Sequence, residues 1–224
     1  MSERNAGLTL DPLFVGATRP PMRWGVTYLA LLGEMVITLE PEGGPGCYRY
    51  RSVSKPVGLV RMFYGAPSET SEFCVVDGRV VPQRFEFHHP KNAGESFTLE
   101  FDTPGKVVKS SRGDVRPLPE NAQDRFGLHQ AVRLWLMQGA ARENPGEAEF
   151  TLVDEDRARH YRFGLTGRTR LRTAAGTFDT LVVERINDKR KITRFWIAPD
   201  VGYMPVQVER IKDGKVQFRM VLEP

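Results

Sequence analysis

The sequence is poor in the residues that carry the commonest protein chemistries. With 2 Cys and 4 His among 224 residues, it has too few ligands for a disulfide scaffold or a four-cysteine zinc site. It contains no phosphate-cradling glycine loop, no dinucleotide fingerprint and no Gly-x-Ser-x-Gly elbow. No run of 18 or more uncharged apolar residues occurs and the mean hydropathy is -0.38, so the chain is expected not to span a membrane by a helix. His88 and His89 are adjacent and point to opposite faces of a strand, while His129 and His160 stand alone, so the histidines form no metal signature. Asp124 and His129 are five positions apart, on different faces of a helix, which disfavours a catalytic dyad. Asp154, Glu155 and Asp156 lie between two strand-like runs, where carboxylates belong to turns, and read as a solvated hairpin tip. From these absences we expect a non-enzymatic protein with no cofactor and no metal.

What is present is core-building material. The 13 Phe, 6 Tyr and 3 Trp, with 40% hydrophobic residues overall, suit a folded domain rather than disorder. Charge is uneven. Between Arg157 and Arg194 eleven basic residues face three acids, so this segment is +8 on a body of -4, the chain as a whole being +4. Such a patch favours anionic partners.

Periodicity favours strands almost throughout. From His160 to Thr173, Tyr161, Phe163, Leu165 and Leu171 alternate with His160, Arg162, Thr166, Arg168, Arg170 and Arg172. This predicts one buried face and one wet, basic face. Asp77-Gly78 and Asp213-Gly214 are two-residue hairpin signals, and weaker turn signals recur at short intervals between them. The spacing predicts a mainly β fold: one antiparallel, strongly curved sheet or unclosed barrel of about ten or more strands. One long helix, from Asn121 to Gly139, interrupts it. Leu128, Ala131, Val132, Trp135 and Leu136 recur at helical spacing, with Arg125, His129 and Arg133 off the stripe. Asn121 or Asp124 can cap it and Gly139 can stop it. Its stripe is expected to pack in the concavity of the sheet.

Residues 1–21 are polar and broken by Gly and Pro, without a charged start followed by an apolar stretch, and read as a flexible extension before a single domain over 22–224. Cys47 and Cys74 fall in neighbouring candidate strands. If Val53 stands opposite about Ser68, the two cysteines face each other, and a bridge and two free thiols both remain open. Between those strands, residues 57–64 are apolar and bracketed by Gly and Pro. Leu59, Met62 and Phe63 there suit either a lid over an apolar cavity or a permanent plug of core.

The carboxyl third adds a resemblance. Thr173-Ala-Ala-Gly-Thr-Phe-Asp-Thr-Leu-Val-Val-Glu-Arg185 and Phe195-Trp-Ile-Ala-Pro-Asp-Val-Gly-Tyr-Met-Pro-Val-Gln-Val-Glu209 resemble a bacterial domain-of-unknown-function family numbered 3108. Gln123-Asp124-Arg125-Phe126 is similar to that family's "x-D-x-[LF]-S" motif, with Gly127 where a small hydroxyl residue is usual. The resemblance implies an exported, β-rich protein of the periplasm, whose signal peptide is not in this chain; a cytoplasmic location stays open. By analogy the unclosed sheet with a helix is similar to the LolA/LolB-like lipoprotein-carrier fold.

Two functions are therefore expected. The first is an envelope protein that binds a hydrophobic or lipid-like ligand in a half-barrel cavity, with Leu59, Met62, Phe63, Trp24, Tyr28, Phe126, Trp135, Trp196 and Tyr203 as candidate ligand-binding residues. The alternative is a periplasmic scaffold that docks an anionic partner or surface, such as another envelope protein, through the basic face around 157–194, with Arg168, Arg170 and Arg172 in contact. Nucleic acid is not expected, because the aromatics fall on the face opposite those arginines. The chain is expected to be a monomer.

Overall fold

The computed structural model describes residues 22–28, 31–57, 65–139 and 145–224. The expected extension, 1–21, and the segment holding Leu59, Met62 and Phe63 lie outside it. The first half supplies strands β1 (Met22–Tyr28), β2 (Leu31–Pro41), β3 (Cys47–Pro56), β4 (Ser68–Val76), β5 (Arg79–His88), β6 (Phe97–Asp102), β7 (Val107–Ser110), β8 (Val115–Pro117) and β9 (Ala122–Gln123). Helix α1 (Arg125–Gln138) follows, then β10 (Glu147–Val153), β11 (Ala158–Thr173), β12 (Gly176–Arg185), β13 (Lys191–Ala198), β14 (Met204–Lys212) and β15 (Lys215–Leu222). Asp77 and Gly78, like Asp213 and Gly214, have positive φ, the backbone that a tight hairpin between right-twisted strands needs.

The fifteen strands of the described residues form one sheet in the order β8 to β1, then β15 back to β9. Pairing is antiparallel except between β9 and β10, which run parallel with Thr151 opposite Ala122. The two edges are β8 and β9, neighbours in sequence. A flat sheet of this width would hold them roughly 65 Å apart at about 4.8 Å per strand. The link from Pro117 to Ala122 reaches at most about 18 Å. The sheet must therefore curl until its edges almost meet, which makes the unclosed barrel that the turn spacing predicts.

Helix α1 packs against β4, β5, β9 and β10. It starts later than the sequence pattern suggests. Asn121 takes φ +49 and its carbonyl accepts from Thr151 N at 3.0 Å, so Ala122 and Gln123 are drawn into the sheet and Asp124 becomes the cap. Gly139 ends the helix as expected. Ten of the 14 helix residues are buried, Gln130 and Arg133 among them, so the helix is enclosed well beyond one stripe. Trp135, placed on that stripe by its spacing, is only half-buried.

The basic ladder also differs from its expected position. Leu165 stands opposite Val183, but Gly167 stands opposite Val182, so Thr166 is an extra residue in β11. A bulge inverts the alternation beyond it. Arg168 consequently pairs with Leu181, and Arg170 with Asp179, on the same face of the sheet as Leu165 and Val183. The three arginines are exposed, but they do not lie on the face opposite Phe163, which a strict period of two would require.

Cys47 faces Cys74 and Val53 faces Ser68, and the two cysteines form a disulfide with Cα atoms 3.9 Å apart. Intact-mass measurement after alkylation without reductant is expected to show no label; two labelled thiols would contradict the bridge. Replacing both cysteines by Ser is expected to lower stability in urea by about 3 kcal/mol, the usual effect of opening a loop of this length.

Candidate ligand cavity

The local sequence Gln123-Asp124-Arg125 builds the junction on which the cavity rests. Asp124 is fully buried and accepts from the Phe126 and Gly127 amides at 2.8 Å each, satisfying helix donors that would otherwise be orphaned. Its other oxygen accepts from Ser71 Oγ at 2.8 Å, which pins the helix start to β4. Gly127 is needed for close approach, because a Cβ there would stand 2.9 Å from Gln123 Oε1 and 3.1 Å from Asp124 Oδ2. Arg125 reaches Glu69 Oε1 at 2.6 Å and Asp154 Oδ1 at 2.8 Å, and its guanidinium carbon lies 5.7 Å from the Phe85 ring centre and 5.6 Å from that of Phe87. Asp154 and Glu155 are thus not a solvated tip: Asp154 holds Arg125, and Glu155 takes Arg112 at 2.5 Å. Arg116 Nη2 donates to the carbonyls of Asp154 and Glu155 at 2.9 Å each. Side chains, rather than a backbone ladder, tie one edge of the sheet to the other.

Between the edges a cavity of about 460 Å³ opens beside the second half of α1. Its walls are largely apolar: Val80 and Pro82 from β5, Leu118 from the link, Ala131 and Trp135 from the helix and Phe150 from β10. Gln123 also lines it. Gln123 Nε2 donates to Val80 O at 2.8 Å, while its Oε1 is buried without a hydrogen-bond partner. Gln138 Nε2 donates to the Gly78 carbonyl at 2.7 Å and Trp135 Nε1 to that of Pro145 at 3.3 Å, so polar contacts tie the helix end to the β4–β5 turn and to Pro145. Among the described residues no group of three or more His, Cys, Asp or Glu is disposed to hold a metal, and no helix is long and apolar enough to cross a membrane.

Among the described candidate residues, the structure brings Trp135 to this cavity and places the others elsewhere. Trp135 lines it. Phe126 is core, its ring tilted against that of Tyr50 with ring centres 4.7 Å apart. Tyr203 lines a separate void of only about 10 Å³ with Tyr50, His129 and Arg133. Trp196 pairs with Val182 and Gln207, on the face away from buried Phe195, and carries the Arg194 guanidinium 5.5 Å from its ring centre. Trp24 and Tyr28 sit in β1 facing Leu222 and Phe218, and their side chains lie outside the described set. Arg168, Arg170 and Arg172 stay in the open, Arg170 paired with Asp179 at 3.2 Å where both are about three-quarters exposed. The apolar wall residues from 78–82, 118–123 and 148–150 had no individual signal in the sequence.

The turn after β13 serves the helix. Gly202 takes φ +72 and Tyr203 φ +59, with Tyr203 N bonded to Ala198 O at 3.0 Å. This turn aims the Gly202 carbonyl at buried Arg133, whose Nε donates to it at 2.6 Å. A family described as "Protein of unknown function (DUF3108)" matches residues 22–222. The chain belongs to this family. The DUF3108 segment Ala198-Pro199-Asp200-Val201-Gly202-Tyr203 is thereby given a structural role as the seat of Arg133. No curated protein matches the chain. Among solved structures, MucB is 13% identical over 96% of this chain, at a TM-score of 0.34. The chain spans about half of MucB, 55% of its length. A Bacteroides fragilis protein with a YmcC-like fold is 12% identical, covering 91% of this chain and 93% of that one, at a TM-score of 0.38.

Two buried groups in the junction titrate in opposite senses. Burial pushes the Asp124 carboxyl up to about 6, against the pull of the Gly127 amide and Ser71. Burial, helped by the Arg210 charge, holds His129 down to about 4, where its ring packs edge-on against Phe126 and Phe195. An acid raised in the fold destabilises it as pH climbs from about 4 to about 6; a histidine depressed in the fold stabilises it as pH climbs from about 4 to about 6.5. The two effects offset each other. Asp124→Asn, which keeps an acceptor for the helix amides, is expected to shift the pH profile toward stability that rises over this range. His129→Phe is expected to shift it toward stability that falls. Urea midpoints at pH 4, 5 and 6.5 check this, and parallel profiles in the two variants would contradict it.

Proposed function

We propose that this protein is a non-enzymatic, periplasmic cell-envelope protein that holds a hydrophobic or lipid-like ligand in the cavity beside α1. The observation that carries the reading is the cavity itself, about 460 Å³, inside the range of roughly 300–1,000 Å³ usual for small-molecule sites. Its walls, with Val80, Pro82, Leu118, Ala131, Trp135 and Phe150 among them, match an acyl chain or another apolar molecule. The Cys47–Cys74 disulfide supports an oxidising compartment. The reading is of binding, not turnover. Asp124, the buried carboxylate nearest the cavity in sequence, spends its oxygens on Ser71 and two helix amides and does not line the walls. The fold-level analogy to lipoprotein carriers agrees with this reading but does not carry it.

Ala148 lines the cavity from a half-buried position on β10, where a larger side chain is compatible with a strand. Wild-type protein is expected to bind a fluorescent fatty-acid probe and to release lipid on solvent extraction. Ala148→Phe is expected to reduce probe affinity at least about tenfold, with its urea midpoint little changed. No co-purifying lipid together with no probe binding, or equal probe binding by the variant, would overturn the assignment of this cavity.

A further inference from the structure

The basic half of the chain is not an even coat of charge. At the ends of β11, β12 and β13 it encloses a concavity of about 670 Å³ whose nine lining residues include Arg157, Arg159, Arg185, Lys189 and Lys191 against one carboxylate, Asp188. Asp188 is already engaged: its Oδ1 accepts from the Arg190 and Lys191 amides at 2.9 and 3.1 Å, and its Oδ2 meets Arg185 Nη2 at 3.2 Å. These bonds fix the loop that carries Lys189. Asn187 fixes it from the other side, donating to His160 O at 2.7 Å. Arg159, Lys189 and Lys191 form no salt bridge among the described residues, and all three are exposed.

Arg185 is the built element. Its side chain is 10% exposed, lies with its guanidinium carbon 4.8 Å from the Tyr161 ring centre, and donates to Lys191 O. Its Nε, also buried, has no hydrogen-bond partner. A guanidinium held in place beside three exposed cations that form no salt bridge among the described residues is a preorganised receptor with positive charge to spare. That excess suits a doubly charged tetrahedral anion better than a single carboxylate, since a phosphate monoester carries about -1.5 to -2 at neutral pH.

We propose that this concavity is a binding site for a phosphate group, borne by a small phosphate or by a lipid headgroup. The site is separate from the apolar cavity and does not depend on what that cavity holds. The test is calorimetric titration of the full chain with inorganic phosphate, run beside sedimentation with vesicles of phosphatidylglycerol in phosphatidylcholine. Saturable binding is expected in at least one arm. It should weaken about tenfold or more in R159E with K189E, the effect of losing two charge-assisted contacts. R168E with R172E reverses the same charge on the exposed ladder outside the concavity, and should change binding by less than about threefold. Phosphate binding without vesicle binding identifies a small phosphate; vesicle binding that inorganic phosphate does not displace identifies the headgroup. No saturable binding in either arm, or equal loss in the two double variants, overturns the site.

Discussion

Arg125 holds together what the backbone leaves apart. The strand order brings β8 and β9 to opposite edges of one sheet although only four residues separate them, and the edges never complete a ladder. Pro117 and Pro119 lack the amides a ladder needs, and β8 is only three residues long. The seam is closed instead by Arg125 between Glu69 and Asp154, by Arg112 and Arg116 on the β10–β11 turn, and by Gln123 on Val80. Partly buried arginine contacts of this kind, with Nε and Nη2 converging on Asp154 Oδ1 and Nη1 on Glu69, are oriented as well as attractive, and removing Arg125 would strand two carboxylates in poorly solvated positions.

A seam closed by side chains is less dense than one closed by strands, and the cavity follows from that. It lies where β5, the link between the edges, β10 and α1 converge without interdigitating. On the other flank of the helix the packing is tight: Arg133 is sealed against the Gly202 carbonyl, and the void bounded by Tyr203 shrinks to about 10 Å³. The turn at residues 198–203 therefore anchors the closed side of the helix, while the open side faces the seam.

Much of the architecture was legible because period and turn chemistry are local. The antiparallel meander, the Asp-Gly hairpins, the helix end at Gly139 and the facing of Cys47 and Cys74 all follow from short stretches of sequence. What failed was whatever depends on one extra residue or one distant partner. Thr166 is not a bulge signal by itself, yet it moves Arg168, Arg170 and Arg172 to the other face. Arg133 looks solvent-facing by spacing and is buried because a carbonyl 69 residues away receives it. The cavity wall is assembled from β5, the edge link, α1 and β10, so no single window of sequence displays it. Trp135 draws attention in the sequence as an aromatic on a helix that faces a sheet, while its place on the cavity wall depends on strands far from it in sequence.

The proposed apolar site lies at a seam that the sheet leaves unclosed. Crystallographic density for protein purified under mild conditions from its native envelope tests that claim most directly. Continuous elongated density between Trp135 and Phe150, ending near Gln123, is the predicted result. A seam in which β5 and β10 side chains collapse to fill the space, with no ligand density, would contradict it.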